Sequence, residues 1–171
     1  MRRVGHLFAQ LCDPELMDRA VSLTVRGKRR RKDVAWFLFR REDEIARLVK
    51  QLSDGCWQPE GFEVILIRDP KPRIIARTTI ADRVVHTALV EAMKPALYRS
   101  LRPECFACRP GMGTHRAVLH LQRCMRRHRF VLHLDVRAYF PSIDLQILRQ
   151  LLARRIKDPR FLGVIDQVLD A

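Results

Sequence analysis

The chain has 171 residues, 47% of them hydrophobic and 30% charged. That fits one ordinary domain of about 100–200 residues and excludes a disordered or collagen-like chain. Lys and Arg number 33 against 19 Asp and Glu, a net charge of +14, an excess that draws polyanions: nucleic acid first, an anionic membrane second.

Most of the cations are Arg, whose planar fork suits phosphate; a basic surface without a specific ligand is the plain alternative. No apolar run approaches the ~18 residues of a membrane span. Met1-Arg2-Arg3-Val4-Gly5-His6 leads into mixed residues rather than the apolar core of a signal peptide. The expectation is an intracellular, cytoplasmic protein without a membrane partner. Five cysteines, an odd number and without a secretion signal, argue against a disulfide framework.

In chain order, residues 15–25 suit a short helix, and Arg26-Gly27-Lys28-Arg29-Arg30-Arg31-Lys32 is a nearly pure basic run. A single helix is expected over 34–52, with Phe37, Leu38, Ile45, Leu48, Val49 and Leu52 inward, stopped by Ser53-Asp54-Gly55. Residues 62–67 are apolar and rich in β-branched side chains, which predicts a strand. Asp69-Pro70-Lys71-Pro72 predicts a turn and 73–76 a return strand, giving a hairpin with Arg68, Lys71 and Arg73 at its tip. Thr79-Ile80-Ala81-Asp82 resembles a capping box. The stripe Ile80, Val84, Val85, Ala88, Leu89, Ala92 and Met93 then predicts a helix that Pro95 disturbs or ends.

The loop Arg109-Pro110-Gly111-Met112-Gly113 leads into a helix near Thr114. Its expected core face is Ala117, Val118, Leu121, Cys124 and Met125, and Arg116, Arg123, Arg126 and Arg127 lie opposite. Residues 130–136 predict a strand, and 145–156 and 161–169 two amphipathic helices. Helices and strands mix without βαβ alternation, so the class expected is α+β.

On a strand over 130–137, Leu132, Leu134 and Val136 share one face and His133, Asp135 and Arg137 the other. A buried carboxylate needs a partner, either an arginine or a hard cation such as Mg²⁺. The three hairpin-tip cations suit a triphosphate or a nucleic-acid backbone, or simply water. The glycine loop could aim backbone N–H groups at a phosphate, or merely enter a helix; it matches neither a P-loop nor a dinucleotide fingerprint. Cys105-x2-Cys108 with His115 and His120 invites a zinc test. No second Cys-x2-Cys is present, and buried thiols with surface histidines are the favoured reading.

Four blocks then follow one another in a specific order. They are Lys71-Pro72-Arg73-Ile74-Ile75, Asp82-Arg83-Val84-Val85-His86-Thr87-Ala88-Leu89, the run from Phe106 through Arg109-Pro110-Gly111-Met112-Gly113-Thr114-His115-Arg116-Ala117, and Leu134-Asp135-Val136-Arg137-Ala138-Tyr139-Phe140-Pro141-Ser142-Ile143-Asp144. Together they resemble the first half of a prokaryotic reverse transcriptase, an RNA-directed DNA polymerase. The diversity-generating retroelement type is the most similar, and group II intron and retron enzymes are relatives. The resemblance covers roughly residues 50–170. It implies right-hand polymerase fingers with the first part of the palm: an N-terminal helical segment 1–54, fingers 55–129 and the start of the palm 130–171.

By position, the resemblance gives Asp135 as the first-motif aspartate of two catalytic Mg²⁺ ions and the Val136 carbonyl as the main-chain ligand beside it. Phe140, next to Tyr139, matches the aromatic steric gate against the sugar of the incoming dNTP. Arg73 matches the fingers arginine over its triphosphate, with Lys71 assisting. Arg68, Arg109, Gly111, Gly113 and Arg116 would contact the RNA template and DNA primer. Two metals clamping the attacking and leaving oxygens suit an in-line phosphoryl transfer. Asp82 and Asp144 are read as helix caps instead. The retroelement type also implies a small basic accessory protein as partner.

The family's second metal motif, an aromatic-x-Asp-Asp turn, has no match, since these residues contain no Asp-Asp dipeptide. Glu42-Asp43-Glu44 on a helix is no substitute, and the later pocket motif and the thumb are also unmatched. The expectation is truncation before that motif: nucleic-acid binding without polymerisation by this chain alone. A non-catalytic nucleic-acid-binding remnant of such an enzyme is the alternative.

Overall fold

Asp13 and Pro14 set the first long helix. The Asp13 carboxylate accepts the Glu15 N–H at 3.0 Å, and Pro14, which has no N–H to lose, takes the first helical position. The computed structural model describes residues 3–68, 70 and 72–171. Helix α1 spans Leu7–Leu11 and α2 Pro14–Thr24. Leu16, Met17, Ala20, Val21 and Thr24 fall on one face of α2 and are buried.

The single helix expected over 34–52 is two, α3 (Lys32–Phe39) and α4 (Arg41–Ser53), broken at Arg40 with φ −108° and ψ 28°. An unbroken helix would place Arg41 one turn beyond Phe37, on the buried stripe. The break turns Arg41 outward instead, where its Nε donates to Asp18 Oδ1 at 2.7 Å and its Nη2 to Ser22 Oγ at 2.7 Å. Phe37, Ile45, Leu48 and Leu52 still reach the core, and Leu38 and Val49 pack against it. Past Ser53 the chain turns at Gly55, at a left-handed φ of 72°. The N–H groups of Cys56 and Trp57 both return to the Gln51 carbonyl.

Strands β1 (Phe62–Ile67) and β2 (Arg73–Thr78) form the expected antiparallel hairpin, from Phe62 opposite Thr78 to Ile67 opposite Arg73. They make a two-stranded sheet with most side chains of both faces exposed. Helix α5 (Ile80–Tyr98) begins where the Thr79 hydroxyl accepts the Asp82 N–H at 3.1 Å. It continues past Pro95 to Tyr98, so the proline does not end it. In the last turns proline forfeits one backbone bond, and the residue after it, Ala96, is buried.

After α5 come α6 (Thr114–Met125), a 3₁₀ turn (Phe140–Ser142), α7 (Leu145–Ala153) and α8 (Pro159–Asp170). Two expectations fail here. The stripe of α6 read as a core face buries none of its residues: Val118, Leu121 and Met125 are exposed. Residues 130–136 form no strand; Phe130 is 89% and Leu134 78% exposed. A strand exists only by pairing, and β1 and β2 pair with each other.

The core joins α1, α2, α3, α4 and α5 with Ile156 and the Phe161, Val164 and Ile165 face of α8. A parallel bridge between Val4 and Ile156 fastens the first described residues to that end. The architecture is therefore mainly helical with one small antiparallel hairpin. Among the described residues no helix is long and apolar enough to cross a membrane.

Candidate nucleic-acid and nucleotide interface

The hairpin carries two of the expected cations outward. Arg73 closes the ladder opposite Ile67, and Arg68 follows one residue later; both are exposed. Neither forms a salt bridge among the described residues. Lys71, the third, lies outside the described residues. Lower on the hairpin, Arg77 is held by Glu63 at 2.8 Å, which fixes it across the strands rather than leaving it for a ligand.

Asp135 and Val136 lie on the exposed, unpaired stretch. Asp135 Oδ1 accepts the Val136 N–H at 3.0 Å, and no salt bridge reaches it among the described residues. Ala138 then turns the chain at φ 50°, an uncommon conformation for a residue with a Cβ. The turn sets Tyr139 and Phe140 edge to face, ring centroids 5.3 Å apart. Phe140 is 81% exposed. Ser142 ties the turn down, its N–H donating to the Ala138 carbonyl at 3.0 Å and its hydroxyl to the Tyr139 carbonyl at 2.8 Å. Asp144 caps α7, accepting the N–H groups of Gln146 and Ile147.

This oxygen set does not fit two Mg²⁺ ions. One carboxylate and one carbonyl are two ligands, whereas each ion takes about six oxygens and is bound through carboxylates shared with substrate phosphates. No group of three metal-capable side chains forms among the described residues. Cys105, Cys108, His115 and His120 likewise do not gather into one.

The glycine loop uses its own donors. Gly111 and Gly113 both sit at positive φ, 72° and 114°, where a Cβ would be strained. The Met112 N–H goes to the Arg109 carbonyl and the Gly113 N–H to the Phe106 carbonyl, each at 3.0 Å. These two amides are therefore taken, and the expected phosphate cradle is not free at them. Arg109 donates through Nη1 to the Arg102 carbonyl at 3.1 Å. Arg116 stands exposed in the first turn of α6, which has no side-chain cap.

Beneath the loop lies a hollow of about 370 Å³, lined by Phe106, Met112 and the Arg116, His120 and Arg123 side of α6. Sequence reading missed its aromatic wall, Phe106 against His120. The ring sits across a loop whose course no periodicity announces; only the Arg116, His120, Arg123 spacing was legible.

Asp82, a motif residue, is 1% exposed and structural. Its Oδ2 accepts the Glu60 N–H at 3.0 Å, holding the link before β1 onto α5. Among the described residues Oδ1 has no hydrogen-bond partner, nor does Nε2 of His86 one turn on. Burial pushes the Asp82 carboxyl above its usual range, against the bond from Glu60. Burial likewise pulls the His86 imidazole down, against the attraction of Asp82. An open groove of about 750 Å³ lies nearby, between α3, α4 and the hairpin base. Its Glu44 is clamped by Arg47 at 2.7 Å and its Glu63 by Arg77, so those two carboxylates are already paired.

No protein-family model matches the chain. It is similar to Protein YkfC of Escherichia coli (strain K12), 25% identical over 182 aligned positions that take in 99% of this chain and 48% of that protein. The chain thus spans about half the length of the curated relative it matches.

Proposed function

We propose that the chain is the fingers and the opening of the palm of an RNA-directed DNA polymerase of the diversity-generating retroelement type. Such an enzyme extends a DNA primer on an RNA template from dNTPs. One observation carries this reading. Phe130, Val131, Leu132, Leu134 and Val136 are exposed and lie in no strand, and among them stands the carboxylate of Asp135. An apolar face of Leu132, Leu134 and Val136 alternating with His133, Asp135 and Arg137 is expected where a sheet packs one face and leaves the other open to a site, so it suits a palm strand whose apolar face is still bare. The ordered sequence blocks around it supply the family.

In this reading Asp135 and the Val136 carbonyl are the first oxygen ligands of the metal site. Further carboxylates must come from elsewhere, and no metal step follows from these residues alone. Phe140, fixed by the Ala138 turn, excludes a 2′-hydroxyl by bulk and so selects dNTP over rNTP. Arg73 and Arg68, which form no salt bridge among the described residues, hold triphosphate charge, with Lys71 between them in sequence. Arg109, Arg116 and the Gly111–Gly113 loop lie along the template and primer. The partners are those substrates and a small basic accessory protein, and the setting is the cytoplasm.

The second reading, a non-catalytic nucleic-acid-binding remnant, is favoured by the single carboxylate. Primer extension with Mg²⁺ on poly-rA and oligo-dT separates the two. We expect no extension by the 171 residues, extension by the longest reading frame that contains them, and none by that longer protein with Asp135→Ala. Inactivity of every version with nucleic-acid binding retained selects the remnant. Robust incorporation by the 171 residues alone overturns the metal-site argument.

A further inference from the structure

The hollow under the glycine loop has two chemically different walls. One is a ring surface, Phe106 tilted 48° to His120 with centroids 5.4 Å apart, and Met112 beside it. The other is a helical face on which Arg116, Leu119, His120 and Arg123 recur at three-, four- and seven-residue spacing. Arg116 and Arg123 are exposed, and neither forms a salt bridge among the described residues. Glu104 also lines the hollow, and its charge repels an anion toward the arginines of α6. The volume, about 370 Å³, falls within the roughly 300–1,000 Å³ of small-molecule sites. A flat ring and two guanidinium groups lining one hollow in a +14 chain match the two halves of a nucleotide: a face to stack on and a phosphate to pair.

The geometry points to a nucleotide subsite: the hollow takes one unstacked base against Phe106 and the adjoining phosphate on Arg116 and Arg123. This deepens the nucleic-acid-binding part of the reading above and rests on it. The polymerase site at Asp135 is not involved. The base belongs either to a single strand or to a free nucleotide.

The test uses the full chain, a fluorescein-labelled single-stranded dA dodecamer, the same dodecamer with every base removed, and free AMP as competitor. Stacking on a protein ring predicts that the dA strand binds about tenfold tighter than the abasic one. Phe106→Leu should abolish that difference and leave abasic binding unchanged. Phe106 lies outside the core, so an unchanged thermal midpoint verifies folding. Arg123→Gln should weaken both strands and flatten the slope of log affinity against log salt by about 0.7.

Competition by AMP at concentrations matching the strand's own nucleotides, lost in Phe106→Leu, supports the subsite with a free nucleotide as its ligand. Failure of AMP to compete, with the strand effects present, supports it with a strand. Equal binding of both dodecamers by the wild type, or an unchanged difference in Phe106→Leu, overturns the subsite while nucleic-acid binding stands. Failure of the wild type to bind either strand overturns both.

Discussion

Asp82 and His86 stand one turn apart on α5, and burial moves them in opposite directions. A raised carboxyl binds its proton more tightly folded than unfolded. Its contribution is therefore full below the ordinary carboxylate range and is lost as pH rises through the folded value. A lowered imidazole does the reverse: its contribution is present above the ordinary histidine value, near 6.5, and is lost as pH falls through the folded one. In urea unfolding across pH 4–8, Asp82→Asn should remove the loss on the alkaline side of about pH 4, and His86→Gln the loss on the acid side of about pH 6.5. Unchanged pH profiles in both variants would remove these residues from the acid–base balance of folding. Half of this was legible, since Thr79 and Asp82 read as a helix start. The bond from Glu60 was not, because it closes over 22 residues of sequence, where no local pattern points. Asp135 is singled out by the ordered blocks it belongs to and not by packing, since the stretch around it forms no strand.

At the scale of elements, hydrophobic periodicity located the longer helices, though it missed α1 and merged α3 with α4, and it did not say what each would touch. The stripes of α2 and α6 read alike. One faces α5, with Thr24 Oγ1 2.9 Å from Thr87 Oγ1; the other faces solvent. Periodicity reports that a face is apolar, and only the presence of a partner buries it. The break at Arg40 went unread because the stripe continues in phase through position 41, and the bonds Arg41 makes to Asp18 and Ser22 on α2 are not local in sequence. Mutation should separate the two kinds of face. Met17→Ala, at a fully buried position, should cost about 2–5 kcal/mol. Leu134→Ala, at an exposed one, should stay within about 0.5 kcal/mol. Chemical denaturation reads both. A large cost at Leu134 would mean that residues 130–136 are packed in solution and that the chain by itself is not as open as described.

For the whole molecule, charge gives the most direct expectation. Roughly four phosphate contacts would make single-strand affinity fall about fiftyfold between 50 and 200 mM salt, measurable by anisotropy. A salt-independent affinity would remove the backbone from the interaction. The α+β reading held only in its coarse form, because a strand needs distant neighbours and a helix does not.

The bridge between Val4 and Ile156 works as a clasp. Around it, the Phe8 N–H meets the Asp158 carboxylate at 2.9 Å, while the Arg160 guanidinium covers the Phe8 ring at 3.9 Å and donates to the Ser53 carbonyl at 2.7 Å. No core residue lies between Ala96 and Ile156. The polypeptide is in effect a ring fastened near its ends, and what hangs between is a long bight. Trypsin, offered the arginines from Arg126 to Arg137, should nick that bight and leave two pieces that elute as one until denatured. The same topology permits a circular permutant opened there, with the old ends joined through a short linker, to keep the core intact.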